Sequence, residues 1–339
     1  MPKRKWIYIL LITILGLSSC AKRNTAYNED EHLTLQRQIP IVGNPLDIKI
    51  DASYFYVAQD QGGISIFRRN DYHQTWITKL NAADGSQTYM GKIKKIAVVP
   101  EQNRMFFIET TATDRIVIAD TSDPDTLVYK FEIIGGTSGI KDLNAEIIPN
   151  PTGIYKMMIG YCSGTSFKYD RYDGNVFNSN DFSITVPATA SGYTMNSTHI
   201  FITAEQRGLL IYDRDYQAFV GEIVVPGEAQ KVVLSGDLAF VTCRQEGLSI
   251  INIANPAAPV LLATYNTVGY ATALDVSGSK VAVSSTSGGI YLFDVSNPAS
   301  PVLLQRLTSC GYVNSVKFLG DNQLVVGSRD QGILIYGIN

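Results

Sequence analysis

Gly247-Leu-Ser-Ile-Ile-Asn-Ile-Ala-Asn-Pro-Ala-Ala-Pro-Val-Leu-Leu-Ala-Thr-Tyr265, followed by Gly269-Tyr270-Ala-Thr-Ala-Leu-Asp-Val276, is written twice in this chain. The second copy is Gly289-Ile-Tyr-Leu-Phe-Asp-Val-Ser-Asn-Pro-Ala-Ser-Pro-Val-Leu-Leu-Gln-Arg-Leu307, followed by Gly311-Tyr312-Val-Asn-Ser-Val-Lys-Phe318. A third opens at Gly332-Ile-Leu-Ile-Tyr-Gly-Ile338, where the sequence ends one residue later. Gly247, Gly289 and Gly332 are spaced by 42 and 43 residues, a period typical of repeat architectures. Within one period, short runs rich in Val, Ile, Leu and Tyr are separated by Gly, Asn-Pro and Ser-Gly, which is strand-and-turn chemistry. No run has helical spacing and helical length. The unit reads as a four-stranded antiparallel meander, and a ring of such units is a β-propeller.

The third, most apolar strand of each unit serves as a marker. Gly63-Ile-Ser-Ile-Phe, Gly208-Leu-Leu-Ile-Tyr-Asp, Gly247, Gly289 and Gly332 carry it clearly. Arg115-Ile-Val-Ile-Ala-Asp fits with Arg for Gly, and Thr165-Ser-Phe-Lys-Tyr-Asp fits worst. Seven markers predict seven blades, all-β, with extended loops such as Asn81 to Gly91 and Gly135 to Lys141 in the first three. Asp120-Thr-Ser-Asp-Pro, Asn252-Ile-Ala-Asn-Pro and Asp294-Val-Ser-Asn-Pro mark turns into fourth strands, because Asn and Asp bond their own backbone and Pro lacks an N–H. Leu33-Thr-Leu-Gln-Arg-Gln38 matches Val302-Leu-Leu-Gln-Arg-Leu307, a fourth strand. The last unit lacks its own fourth strand, so Leu33 to Gln38 is expected to complete it and leave no exposed edge.

These residues carry a family resemblance. The pattern G-[IL]-x-[IL]-[IF]-[DN]-[IV]-[SA]-N-P-A-x-P-V, then G-Y-A-x-x-x-x-V-S-G, resembles the LVIVD-repeat family, most strongly over Gly247 to Asn339 and recognisably from Leu33. The resemblance implies a β-propeller of the kind found in bacterial secreted proteins and lipoproteins. It implies no particular enzymatic activity.

The amino terminus reads as an address. Lys3, Arg4 and Lys5 precede an apolar run of 12 residues, Trp6 to Leu17. That is shorter than the roughly 20 residues needed to span a bilayer and suits a signal peptide. Leu17-Ser-Ser-Cys20 resembles a lipobox, which implies cleavage before Cys20 and its lipidation. Residues 1–19 are thus expected to be a lipoprotein signal peptide, 20–32 a flexible tether and 33–339 the propeller. The expected location is the bacterial envelope, anchored by lipid at the outer membrane. Without residues 1–19 the formal net charge moves from −3 to −6, which argues against nucleic acid as a partner.

Signals for chemistry are sparse. His32, His73 and His199 share no ligand spacing and no C-x-x-C occurs, so neither metal nor cofactor is expected. Cys162, Cys243 and Cys310 are odd in number, and small buried thiols are the simplest reading. One pattern stands out. Loops between second and third strands repeat Gln59-Asp-Gln-Gly62, Glu205-Gln-Arg-Gly208, Arg244-Gln-Glu-Gly247 and Arg329-Asp-Gln-Gly332. They share a face with connections carrying Gly192-Tyr193, Gly269-Tyr270 and Gly311-Tyr312. Arg207, Arg244, Glu246, Arg329, Asp330, Tyr193, Tyr270 and Tyr312 are the candidate binding rim for an envelope protein or a polar ligand such as a glycan. The same recurrence also follows if the repeat only fixes Gly turns and pairs charges between blades. The expected function is a binding or interaction module. The alternative is a hydrolase or lyase acting on an extracellular glycan or small ester in the central channel.

Overall fold

The computed structural model describes residues 32–134, 139–148, 156–172 and 177–339. The expected signal peptide, Cys20 and the expected tether as far as Glu31 lie outside the described residues, as does part of the Gly135–Lys141 connection. Apart from one 3₁₀ turn at Pro100–Gln102, the described secondary structure is β-strand. Seven antiparallel sheets follow one another round a ring. Their innermost strands are Asp47–Ile50, Lys92–Val99, Ile140–Ile147, Gly192–Met195, Lys231–Ser235, Ala273–Ser277 and Val313–Phe318. Each blade then meanders outward through three more strands. The markers land on third strands in all seven blades, including the worst-fitting one, Ser166–Tyr172.

Middle strands read as continuous apolar runs because neighbouring blades bury both of their faces. Among the described residues there is one hydrophobic cluster at each blade junction. The cluster joining blade seven to blade one sets Val325, Ile333 and Ile335 against Ile48, Phe55, Val57 and Phe67. Phe55 and Phe67 stack there with ring centres 4.7 Å apart. A ring so built has no weak seam in its apolar contacts.

The hydrogen-bonded seam is closed by the first strand. Leu33–Ile39 lies antiparallel on Gly332–Ile338, with Leu33 opposite Ile338, Leu35 opposite Tyr336 and Ile39 opposite Ile333. The register shifts once, between Leu35 and Arg37. That extra residue is a β-bulge. Leu33 is buried, and its N–H donates to Gln305 Oε1 at 2.7 Å. The Asx turns also form as expected. Asp120 Oδ1, Asn252 Oδ1 and Asp294 Oδ1 accept from the N–H of Ser122, Ala254 and Ser296 at 2.8, 2.9 and 2.7 Å.

One expectation needs correction. Asn81 to Gly91 is not an open loop. Lys79–Asn81 and Gln87–Tyr89 pair as a hairpin, and its first strand lies parallel to Val128–Ile134. Blade two is thereby widened to six strands.

Candidate functional site

The rim is built from backbone first. In four second-to-third-strand loops a residue other than glycine takes positive φ: Asp60 (53°), Glu205 (41°), Arg244 (41°) and Thr286 (44°). This conformation costs an L-residue about 1–2 kcal/mol. In each case the residue bridges to the next blade, facing Ile93, Ala229, Ala271 and Val313 respectively. Asp60 and Ile93 exchange both hydrogen bonds, at 3.1 and 2.9 Å. In the other three, the carbonyl of Glu205, Arg244 or Thr286 accepts the next blade's N–H at 2.9–3.0 Å. The repeated loop is therefore a backbone stitch between blades. The glycine that ends it is required as well: Gly247 sits at φ +82°, and a Cβ there would lie 2.2 Å from the Tyr265 carbonyl oxygen.

Two cation–aromatic stacks lie on this face, one on the Arg244 stitch and one on the blade-seven loop, where the Arg329 N–H donates to the Tyr312 carbonyl of its own blade at 2.8 Å. The Arg244 guanidinium lies 5.4 Å from the Tyr270 ring centre and also pairs with Glu228. The Arg329 guanidinium lies 4.2 Å from the Tyr312 ring centre and 3.2 Å from Asp330 Oδ1. The Tyr312 N–H donates to Asp330 Oδ2 at 2.8 Å. That bond first, and Arg329 second, hold the Asp330 carboxyl below its ordinary pKa. Glu246 accepts from the Asn266 amide at 3.2 Å. Arg207 turns to Glu222 on the outer strand at 2.6 Å and stands apart from the stacks.

Tyr193 is not on the rim. Gly192 begins an innermost strand, and Tyr193 is buried against blade three. Its hydroxyl donates to the carbonyls of Gly160 at 2.7 Å and Asn144 at 3.1 Å. The Gly-Tyr dipeptide is shared with Gly269-Tyr270, but its register relative to the strand is not.

The channel holds a second cluster, absent from the expected site. Its innermost strands alternate, with Ile48, Ile96, Leu143, Val232, Leu274 and Val316 buried between blades. Charged residues fall on the intervening positions. Matching the registers puts Asp47, Lys95, Asp142 and Lys231 at one level, and Lys49, Asp275 and Lys317 two residues deeper. Two residues of strand are about 7 Å. Lys95 pairs with Asp47 at 3.6 Å, Lys231 with Asp142 at 2.6 Å and Lys317 with Asp275 at 2.8 Å. Lys231 reaches back over blade four, whose residue at that level is Gly192. The other side of each carboxylate accepts a backbone N–H from the next blade: Ile96 to Asp47 at 3.1 Å, Tyr193 to Asp142 at 3.2 Å and Phe318 to Asp275 at 2.9 Å. Burial alone raises the Asp142 carboxyl, but Lys231, Lys95 and Lys49 outweigh it and hold the group below its ordinary pKa.

Among the described residues no three His, Cys, Asp or Glu side chains are placed to hold a metal. Cys162, Cys243 and Cys310 are buried and form no disulfide among the described residues. Burial pushes the thiols of Cys243 and Cys310 up to about 11, away from reactivity.

Comparison with known proteins agrees with this architecture. The LVIVD repeat matches residues 226–267 and 268–309, one blade each. No curated protein matches the sequence. Among solved structures, the Myceliophteria thermophila Cps50 (Swd1) β-propeller domain is similar at a TM-score of 0.70 and 10% identity, over 91% of this chain and 100% of that one. The WD40 β-propeller domain of Doa1 gives 0.68 and 12%, over 90% and 96%. The computationally designed Ika8 protein gives 0.59 and 13%, over 87% and 96%. At such identities the likeness concerns the fold alone. The chain is thus a seven-bladed β-propeller in which LVIVD repeats form blades five and six.

Proposed function

We propose that this chain is a lipid-anchored propeller of a bacterial outer membrane that presents its Arg–Tyr rim to a protein partner. The observation that carries this reading is the pair of exposed stacks. The side chains of Arg244 and Arg329 are 41% and 53% exposed. Tyr270 is 47% exposed, with Val42 and Val268 also open to solvent on neighbouring connections. Arg and Tyr held rigid beside apolar side chains are the composition of protein-interface hot spots.

The polarity of the closing strand supports the anchor's part in this. Leu33 pairs with Ile338 at the end of the last strand, and the His32 carbonyl accepts from the Asn339 N–H at 2.9 Å. The tether therefore enters on the face opposite the rim. Residues Ala21 to His32 extend at most about 40 Å, so a propeller held at Cys20 turns its rim away from the bilayer. The enzyme alternative needs a free carboxylate pair in the channel. Asp47, Asp142 and Asp275 are each engaged by a lysine and a backbone N–H, which favours binding.

A photo-crosslinking residue placed at Tyr270 or Tyr312 in intact cells tests this. Both positions should trap the same protein, while the exposed Asp237 position on the opposite face should not. Cys20→Ala should move the protein from the membrane to the soluble fraction. Equal trapping from Asp237 would refute the rim, and unchanged membrane fractionation would refute the anchor.

A further inference from the structure

The channel charges do not balance. Asp47, Asp142 and Asp275 each have a lysine, but Lys49 forms no ion pair among the described residues. Four lysines thus face three carboxylates inside a protein whose overall charge is negative. Burial pushes the Lys49 ammonium down; Lys231 and Lys317 add to this, Asp47 and Asp142 oppose it, and the group titrates near 8. Lys231 and Lys317 therefore each lie within electrostatic reach of Lys49. Lys49 is half-buried, and an ammonium partly removed from water without a counter-ion is relieved by shedding its proton or gaining an anion. Spare donors are at hand. Among the described residues Lys231 Nζ donates only to the two Asp142 oxygens, at 2.8 and 2.6 Å, and Lys317 Nζ only to Asp275 Oδ1, at 2.8 Å. An ammonium has three N–H donors. Asn144 and Thr194 share the deeper level by register and add amide and hydroxyl donors.

We propose that the central channel binds one small oxyanion carrying two or more charges, a phosphate or a di- or tricarboxylate, between Lys49 and Lys317 with Lys231 above it. This site is separate from the rim, so its fate does not decide the reading given above.

Isothermal titration calorimetry at pH 7 with inorganic phosphate, succinate and citrate in turn tests the proposal and separates phosphate from carboxylate. At least one should bind saturably with one site per chain. Lys49→Met and Lys49→Gln, each checked for an intact fold by thermal unfolding, should weaken it at least tenfold. Asp47, Asp142, Asp275, Lys95, Lys231 and Lys317 all face the site, and Lys49 is the group among them poised to take up a proton. Titration at pH 8.5 in buffers of different ionisation enthalpy should therefore show proton uptake in the wild type and none in Lys49→Met. Absence of saturable binding by all three anions, or equal binding by both Lys49 variants, would overturn the proposal.

Discussion

At the scale of single residues, the channel holds two charges of opposite consequence, Asp142 buried and Lys49 half-buried. Asp142 has a lysine and a backbone donor, and its carboxyl is held below the ordinary range. Its stabilising contribution is full above about pH 4 and is lost as pH falls through the lowered pKa. Asp142→Asn should therefore cost about 3–5 kcal/mol at neutral pH, since it strands Lys231. Lys49 has the reverse sign. Its pKa drops from 10.5 to about 8 on folding, so the unfolded chain holds the extra proton between those values and wild-type stability rises across that window. Lys49→Met should be more stable by about 1–2 kcal/mol at pH 7, after allowance for water in the channel, and should lose that advantage toward pH 10. Denaturant unfolding at several pH values in an anion-poor buffer reads both; a Lys49→Met protein less stable than wild type at pH 7 would contradict the assignment. These charges were hard to find in the sequence. No innermost strand supplies more than two of them, that of blade four supplies none, and Asp142 meets Lys231 only once two further blades have folded.

At the scale of the element, the repeated loop joins blades, and the sequence shows this as glycine. Gly247 combines positive φ with a carbonyl where a Cβ would sit, whereas Gly278, at φ +55°, has open space around it. Gly247→Ala should cost about 2–4 kcal/mol, and Gly278→Ala about 1 kcal/mol. Thermal unfolding of the two variants separates packing from dihedral preference; equal losses would show that the close approach of the Tyr265 carbonyl contributes nothing beyond φ. Third strands were legible because burial on both faces demands apolar runs; blade three, where Lys168, Asp170 and Arg171 interrupt the run, gave the weakest marker. The hairpin Lys79–Tyr89 was not. Its strands are three residues long and carry no alternation, so Asp84-Gly85 was the only turn signal it offered. Tyr193 was misplaced for a related reason: a dipeptide match does not fix strand register.

At the scale of the whole molecule, everything depends on the ring being shut by residues from opposite ends of the sequence. The two channel levels exist only if seven inner strands surround one axis, and the proposed orientation of the rim requires the chain to enter the propeller on the other face. The match of Leu33–Gln38 to Val302–Leu307 made this closure legible, whereas the face on which residue 32 meets the propeller emerged only from the pairing of Leu33 with Ile338. Hydrogen exchange read by mass spectrometry on the intact chain addresses the closure most directly. Peptides covering Leu33–Ile39 and Gly332–Ile338 should be protected alike and should lose protection together as denaturant is raised. Exchange of Leu33–Ile39 at the rate of an unpaired chain, with Gly332–Ile338 still protected, would contradict the account.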